Sequence, residues 1–143
     1  MTATQISVFL ENKSGRLAEV TRTLAEVEVN IRALSLAETI DYGVLRLIVD
    51  KPSVAKQALT RVGFTVTETP VIAVEIPDQP GGLAHIVDLL TRKGLNIEYC
   101  YAFVSKRGDN AVVILRIDKV EAAMAVLSDG GACVLSSVEV SQI

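Results

Sequence analysis

Apolar and polar residues alternate near the start of the chain, and a helical pattern of apolar residues follows. Ile6, Val8 and Leu10 fall on one face of an extended segment and Phe9 and Glu11 on the other, which is typical of a half-buried strand. Four later apolar residues recur at a helical spacing and would form one buried stripe: Leu17, Val20, Leu24 and Val27. The pattern therefore predicts a strand and then an amphipathic helix.

The second half of the chain repeats this pattern. Gly15 and Asn30 reappear as Gly81 and Asn96 after a shift of 66 residues, and the shift becomes 68 after a two-residue insertion near 105–110. The matched apolar pairs include Ile6/Ile72, Val8/Val74, Leu17/Leu83, Leu24/Leu90, Leu47/Leu115 and Leu59/Leu127. Because a fixed internal period indicates a repeated structural unit, the sequence predicts one domain over 1–69 and a second over 70–143.

Each repeat has the pattern of strand, helix, strand, strand, helix, strand. The second strand is predicted at 31–37 and 97–104, and the last strand at 64–68 and 132–140. A β-α-β-β-α-β unit closes as a ferredoxin-like sandwich. Right-handed connections place strands one and three in the centre of an antiparallel sheet, with both helices on one face. The predicted fold class is α+β, with two ferredoxin-like sandwiches in tandem.

Both predicted helices of each repeat have an apolar stripe and residues suited to their ends. In repeat 2, Gly94 suits a left-handed cap at the end of the first helix, whereas repeat 1 has Glu28 there and should be less well capped. Asp50 is expected to cap the second helix, with Pro52 in its first turn and Gly63 at its end. The residues predicted to be buried are Val54, Ala55, Ala58, Leu59 and Val62, and in repeat 2 Leu83, Ile86, Val87 and Leu90.

The third strand of each repeat is apolar on both sides, so the sheet face without helices should also be covered. Phe9, Val44 and Ile48 would lie on this outward face in repeat 1, and Val112 and Ile114 in repeat 2. A sheet with one solvated face normally alternates cleanly. We expect another sheet to cover the outward face, and the protein to be at least a homodimer that buries it.

Composition narrows the class of protein. The 143 residues are 50% hydrophobic with a net charge of −3 and interspersed acids and bases, which argues against a nucleic-acid partner. No apolar run reaches the roughly 20 residues that span a bilayer, and no signal peptide is apparent. Cys100 and Cys133 lack metal-ligand spacing and are expected to be buried thiols. The sequence therefore predicts a cytoplasmic protein with no membrane partner.

Signatures of catalysis and of cofactor binding do not occur in the sequence. The lone histidine, His85, stands beside the apolar stripe of a predicted helix and is expected to be a polar residue at a helix start. The chain has no phosphate-binding loop, dinucleotide fingerprint, metal-ligand cluster or paired nucleophile and base. We therefore expect neither an enzyme nor a bound cofactor or metal.

The loop after the first strand is the candidate for small-molecule binding in each repeat. Glycine permits close approach of a ligand to the backbone, a helix start favours an anion, and an asparagine amide suits both ends of an amino acid. An alternative is that the glycines only start helices and the asparagines only end them. The candidate residues are Asn12, Lys13, Ser14, Gly15, Arg16, Leu17, Asn30 and Ile31, and in repeat 2 Asp78, Gln79, Pro80, Gly81, Gly82, Leu83, Asn96 and Ile97.

Asn/Asp-x-x-Gly-x-Leu after the first strand, followed by Asn-Ile at the second strand, resembles the ACT domain. The resemblance covers nearly the whole chain, and two copies without a catalytic domain are similar to stand-alone tandem ACT proteins. It implies regulatory binding of an amino acid at interfaces between ACT units, with modulation of amino-acid metabolism and a possible metabolic enzyme as partner. An alternative is a ligand-free interaction module that serves as the regulatory subunit of an enzyme.

The two loops differ in ways that predict unequal sites. Asp78 carries a charge where Asn12 is neutral, so it could pair with the ammonium group of a ligand. Pro80 restricts the backbone of the second loop where the first has Ser14. The second copy is therefore expected to be the better amino-acid site, although Arg16 of the first could instead hold a carboxylate.

Overall fold

The structure, a computed structural model, describes residues 2–143, which divide into two units. Thr4–Thr69 forms the first unit, and Pro70–Ile143 forms the second together with Thr2 and Ala3. The first unit contains most of β1 (Ala3–Glu11), then α1 (Arg16–Glu26), β2 (Ile31–Glu38), β3 (Tyr42–Val49), α2 (Pro52–Arg61) and the start of β4 (Thr65–Pro77). The second contains the rest of β4, α3 (Gly82–Thr91), β5 (Tyr99–Ala102), β6 (Asn110–Arg116), α4 (Val120–Asp129), β7 (Cys133–Leu135) and α5 (Ser137–Ser141).

The first unit has the predicted ferredoxin-like sheet order, β2-β3-β1-β4. β1 and β3 pair antiparallel, with Ile6 opposite Leu47 and Val8 opposite Leu45. These alternate residues face both helices, so one core forms on one face of the sheet. Its buried members include Ile6, Val8, Leu10, Val20, Leu24, Leu45, Leu47, Ala55 and Leu59.

The second unit repeats this arrangement with the order β7-β4-β6-β5. β4 supplies the last strand of one unit and the first strand of the other, since it continues from Thr65 to Pro77. Ile72 lies opposite Leu115 and Val74 opposite Val113. The buried core includes Ile72, Val74, Ile86, Leu90, Leu115, Ile117, Ala123 and Leu127. The predicted α+β class with two ferredoxin-like units is confirmed.

The helix stripes are narrower than the spacing predicts. Val20 and Leu24 are buried on α1, but Leu17 is exposed because it lies in the first turn, beyond the edge of the core. The same difference separates buried Ile86 and Leu90 from exposed Leu83 on α3. On α2, Ala55, Ala58 and Leu59 are buried, whereas Val54 and Val62 are exposed. Periodicity identified the buried side of each helix but not the turns that extend past the sheet.

Two predicted helix ends have the expected conformation and one predicted cap is wrong. Gly94 and Gly63 have left-handed φ values of 69° and 100°. Glu28 adopts the same left-handed region with φ 57° although it has a side chain. Asp50 does not cap α2: Lys51 is the N-cap residue without a side-chain cap bond, because the Asp50 carboxylate accepts from the Asn30 N–H at 2.9 Å.

The end of the chain is helical rather than extended. The strand predicted over 132–140 is only the three-residue β7, after which α5 begins. The Ser136 Oγ accepts from the Glu139 N–H at 3.2 Å, and the Glu139 carboxylate accepts from the Ser136 N–H at 3.1 Å. This reciprocal capping box starts a helix and ends the strand. The predicted strand over 97–104 is likewise shorter, at Tyr99–Ala102.

Three of the five residues predicted on the outward sheet faces are buried. Ile48, Val112 and Ile114 are each no more than 1% exposed. They are therefore not available to a second copy, and the expectation that they form a dimer interface is wrong. Phe9 remains 49% exposed and Val44 is half-buried.

Both cysteines are free and exposed, contrary to the expectation of buried thiols. Cys100 lies on the edge strand β5 and Cys133 at the start of the short strand β7. Within residues 2–143, no helix has both the length and the apolar composition that a membrane crossing requires.

Candidate functional site

The loop between β1 and α1 is held by its own polar side chains. The Asn12 Nδ2 donates to the carbonyl oxygens of Thr39 and Ile40, at 3.3 and 3.1 Å, and so ties the loop to the β2–β3 turn. Gly15 then starts α1 with φ 92°, and no side chain caps this helix start. The first N–H groups of α1 are therefore free of a side-chain cap beside an exposed loop.

The equivalent loop of the second unit has the same backbone form and different charges. Gly81 starts α3 with φ 88° and again has no side-chain cap. A side chain at Gly82 would place its Cβ less than 3.0 Å from the Pro77 carbonyl oxygen, so close backbone packing requires glycine there. Asp78 forms an ion pair with Lys106. The Asp78 carboxylate, which was the reason to expect the better amino-acid site in the second loop, is therefore already in an ion pair.

The two asparagines lie far from the loop glycines of their own units. Asn30 follows the eleven-residue α1 that Gly15 starts, so about 16 Å of helix separates them. The backbone of Asn30 pairs with Asp50 in both directions, and its side chain is exposed. Asn96 is also exposed and follows α3. Ile31 and Ile97, next to the asparagines, pack against their cores.

A cleft of about 410 Å³ lies in the first unit between the end of β1, the start of α1 and the turn before β4. Arg16 is the member of the predicted set that lines it. The remaining lining residues are Phe9, Leu10, Glu11, Glu19, Tyr42, Val62, Gly63, Phe64 and Thr65. We call this the first cleft.

The second unit has a cleft of about 410 Å³ in the matching place, which we call the second cleft. Its lining includes Gln79, Pro80, Gly81 and Gly82 of the predicted loop. The other lining residues are Glu75, Ile76, Pro77, His85, Ile86, Gly131, Ala132 and Cys133. Because eight of these positions match first-cleft positions after the shifts of 66 and 68, the repeat extends to its clefts.

The first cleft contains a small network of opposite charges. The Arg16 guanidinium lies 2.9 Å from a Glu19 oxygen and 3.6 Å from a Glu11 oxygen. Glu11 is also 3.0 Å from the Lys13 ammonium. A hydrogen bond from Lys13, together with the charges of Lys13 and Arg16, holds the pKa of the Glu11 carboxyl below its usual range. One side of the first cleft thus carries a guanidinium group and two carboxylates.

In the second cleft, one carboxylate is enclosed by donors. Glu75 accepts from the Arg107 guanidinium at 3.0 Å and from the Asn110 amide at 2.8 Å. Arg107 also reaches Glu139 at 3.3 Å, while the Cys133 thiol lies 3.8 Å from Glu75. Burial raises the pKa of the Cys133 thiol, and the charges of Glu75 and Glu139 raise it further. This thiol is therefore a weak nucleophile at neutral pH.

The sequence pattern indicates the loops but not most of the residues that line the clefts. Phe9 and Phe64 were assigned only to strands, and Tyr42 and Glu19 were not among the candidate residues. One available signal was the glycine that recurs before the last strand, Gly63 and Gly131, since each lines a cleft. Within residues 2–143, no group of three or more His, Cys, Asp and Glu side chains is arranged to hold a metal ion.

A family model described as an ACT domain pair matches residues 1–137. The structure of protein BT0572 from Bacteroides thetaiotaomicron superposes with a TM-score of 0.94 at 38% sequence identity, covering 100% of this chain and 98% of that one. No curated protein matches this chain.

Two further structures share the fold at lower identity. The regulatory subunit of aspartate kinase from Thermus thermophilus, in a ligand-free form, has a TM-score of 0.65 at 20% identity, with 89% of this chain and 91% of that chain covered. The corresponding subunit from Thermus flavus has a TM-score of 0.60 at 18% identity, with 90% and 92% covered.

Proposed function

The chain belongs to the ACT domain pair family, and we propose on that premise that it is a regulatory protein that binds an amino acid and modulates amino-acid metabolism. One observation carries the proposal. Gly15 and Gly81 each start a helix in the left-handed conformation, without a side-chain cap, beside a cleft of about 410 Å³. That volume lies within the usual range for small-molecule sites. The protein then acts by binding and has no turnover of its own.

The ligand's carboxylate would lie at the start of α1 or α3, where no side chain caps the helix. The proposed binding residues are the two loops, 12–17 and 78–83, together with Asn30-Ile31 and Asn96-Ile97. Because Asn30 and its own loop lie at opposite ends of α1, the asparagine that completes a site would come from an ACT unit of a second copy. The proposal therefore includes a homodimer or a larger homo-oligomer.

The edge strand β2 supports association of two copies. It stands at the end of the sheet order, and Leu34 and Leu36 on it are 42% and 45% exposed. Exposed apolar side chains on an edge strand are typical of a surface that pairs with another chain. This surface replaces the outward face as the proposed contact between copies.

The regulated partner is proposed to be a metabolic enzyme. The two Thermus proteins named above are regulatory subunits of aspartate kinase. The same exposed leucines also favour a second candidate, a ligand-free interaction module that binds an enzyme through β2. The two candidates differ in whether a free amino acid changes the stability of the chain.

A thermal-shift screen of the full chain against the standard amino acids tests the proposal. A ligand at about 100 times its dissociation constant should stabilise the fold by roughly 2.7 kcal/mol. Asn30→Ala and Asn96→Ala should reduce the shift, whereas Gln57→Ala, an exposed change on α2, should leave it unchanged. If no amino acid at millimolar concentration raises the melting temperature, the binding function is wrong and the interaction module is favoured.

A further inference from the structure

The first cleft is lined by a high share of the chain's aromatic side chains. The sequence contains three phenylalanines, three tyrosines and no tryptophan. Phe9, Phe64 and Tyr42 all line this cleft, together with Val62. Phe9 and Val62 are each 49% exposed, so much of this apolar surface faces solvent in the absence of a ligand. An apolar group seated there would remove that surface from water.

The charged side of the same cleft matches both ends of an amino acid. Arg16 has a fork of donors that fits a carboxylate, and Glu11 and Glu19 can accept from an ammonium group. Arg16 is only 32% exposed at its side chain and is already held between the two carboxylates. A zwitterion would exchange its carboxylate and ammonium group into these ion pairs and would add no net charge to the cleft.

The second cleft lacks these groups at the same positions. The equivalents of Arg16, Glu11 and Glu19 are Gly82, Pro77 and His85. The aromatic residues Phe9, Tyr42 and Phe64 are replaced by Glu75, Asn110 and Ala132. Glu75 is paired with Arg107 and Asn110, and no arginine or lysine stands among the residues that line this cleft. The second cleft therefore serves as an internal control for the contribution of the charged and aromatic residues of the first cleft.

We propose that the first cleft, within a single unit, binds an α-amino acid with an apolar or aromatic side chain, and that the second cleft does not. The inference rests on the proposed regulatory function, names the ligand class, and places the site within one unit rather than between two copies. Arg16 holds the carboxylate, Glu11 and Glu19 hold the ammonium group, and Phe9 and Tyr42 cover the side chain. The ligand then binds to the first repeat, whereas the charge of Asp78 predicted the second repeat as the better site.

Titration of the ¹⁵N-labelled full chain with L-phenylalanine, L-leucine and glycine, followed by NMR, locates the ligand. The amides of Phe9 and Gly63 should shift with the two apolar amino acids, and glycine should bind at least about tenfold more weakly because it leaves the aromatic wall exposed. Phenethylamine, which lacks the carboxylate, and 3-phenylpropanoate, which lacks the ammonium group, should each bind about tenfold more weakly than L-phenylalanine.

Two matched variants test the assignment of charge. Arg16→Gln should weaken L-phenylalanine about tenfold while leaving phenethylamine unchanged, and His85→Gln in the second cleft should change neither. Shifts centred on Gly131 and His85, or a preference for charged amino acids, would overturn the inference. Shifts confined to the loops and to Asn30 and Asn96 would overturn it too but leave the proposed function standing. If none of the standard amino acids binds, both are wrong.

Discussion

The Lys51 ammonium donates a hydrogen bond of 2.9 Å to the carbonyl oxygen of Glu28, which joins the end of α1 to the start of α2. Among residues 2–143, Glu28 is the non-glycine residue with a positive φ, at 57°. The equivalent residue of the second unit is Gly94, with φ 69°. The bond to Lys51 uses the backbone of Glu28, so it does not depend on the glutamate side chain.

Glu28→Gly should therefore raise the free energy of unfolding by about 1 kcal/mol. A left-handed conformation costs an L-residue roughly 1–2 kcal/mol, and glycine avoids this cost while retaining the bond to Lys51. Urea denaturation of the full chain measures the change, with Gly94→Glu as the matched variant that should lose a similar amount. A destabilising effect of Glu28→Gly would show that the glutamate side chain, rather than the backbone, stabilises this helix end.

A glutamate at Ile48 should unfold the chain, whereas one at Leu36 should affect association. Ile48 is 1% exposed, so Ile48→Glu buries an unpaired carboxylate at a cost of about 3–5 kcal/mol. Leu36 is 45% exposed, and Leu36→Glu should change stability by less than about 0.5 kcal/mol while shifting the oligomer towards monomer. Light scattering and urea denaturation measure the two effects. An unmodified chain that is monomeric at high concentration would contradict the proposed β2 contact.

The stability of the α5 end should fall in acid because of Glu139. Its capping bonds with Ser136, and the nearby Arg107, hold the pKa of the Glu139 carboxyl below its usual range. A lowered folded-state pKa contributes stability above the unfolded pKa, and that contribution is lost as pH falls through the folded value. The difference in unfolding free energy between the unmodified chain and Glu139→Gln should be present at pH 7 and shrink on acidification. A difference that grows in acid would contradict this.

The Cys133 thiol should react slowly at neutral pH, and Glu75 should be one reason. Burial and the Glu75 and Glu139 charges raise the pKa of this thiol, so little thiolate is present. In a Cys100→Ser background, alkylation by iodoacetamide at pH 8 should be faster in Glu75→Gln, which removes one of those charges. Glu98→Gln, an exposed carboxylate change on the same unit, serves as the control. Slower alkylation in Glu75→Gln would contradict the assignment.

The sequence alone determined the repeated architecture, because the physical signals for it are local. Alternation over Ile6, Val8 and Leu10, and helical spacing at Val20 and Leu24, depend only on which side of a strand or helix faces the core. These residues are buried as the pattern predicts. The sequence also indicates the loop glycines, because a left-handed backbone conformation at a helix start favours glycine.

Tertiary structure decided which apolar and charged residues meet. Leu17 and Ile48 are equally apolar in sequence, yet one is exposed and the other buried, because burial depends on what lies across from each residue. The sequence does not show that Asp78 is paired, because its partner Lys106 lies 28 positions later in the chain. Phe9, Arg16 and Phe64 come from separate elements, and chain folding alone brings them to one cleft. Contacts between distant positions leave no periodic trace in the sequence, so only the folded chain reveals them.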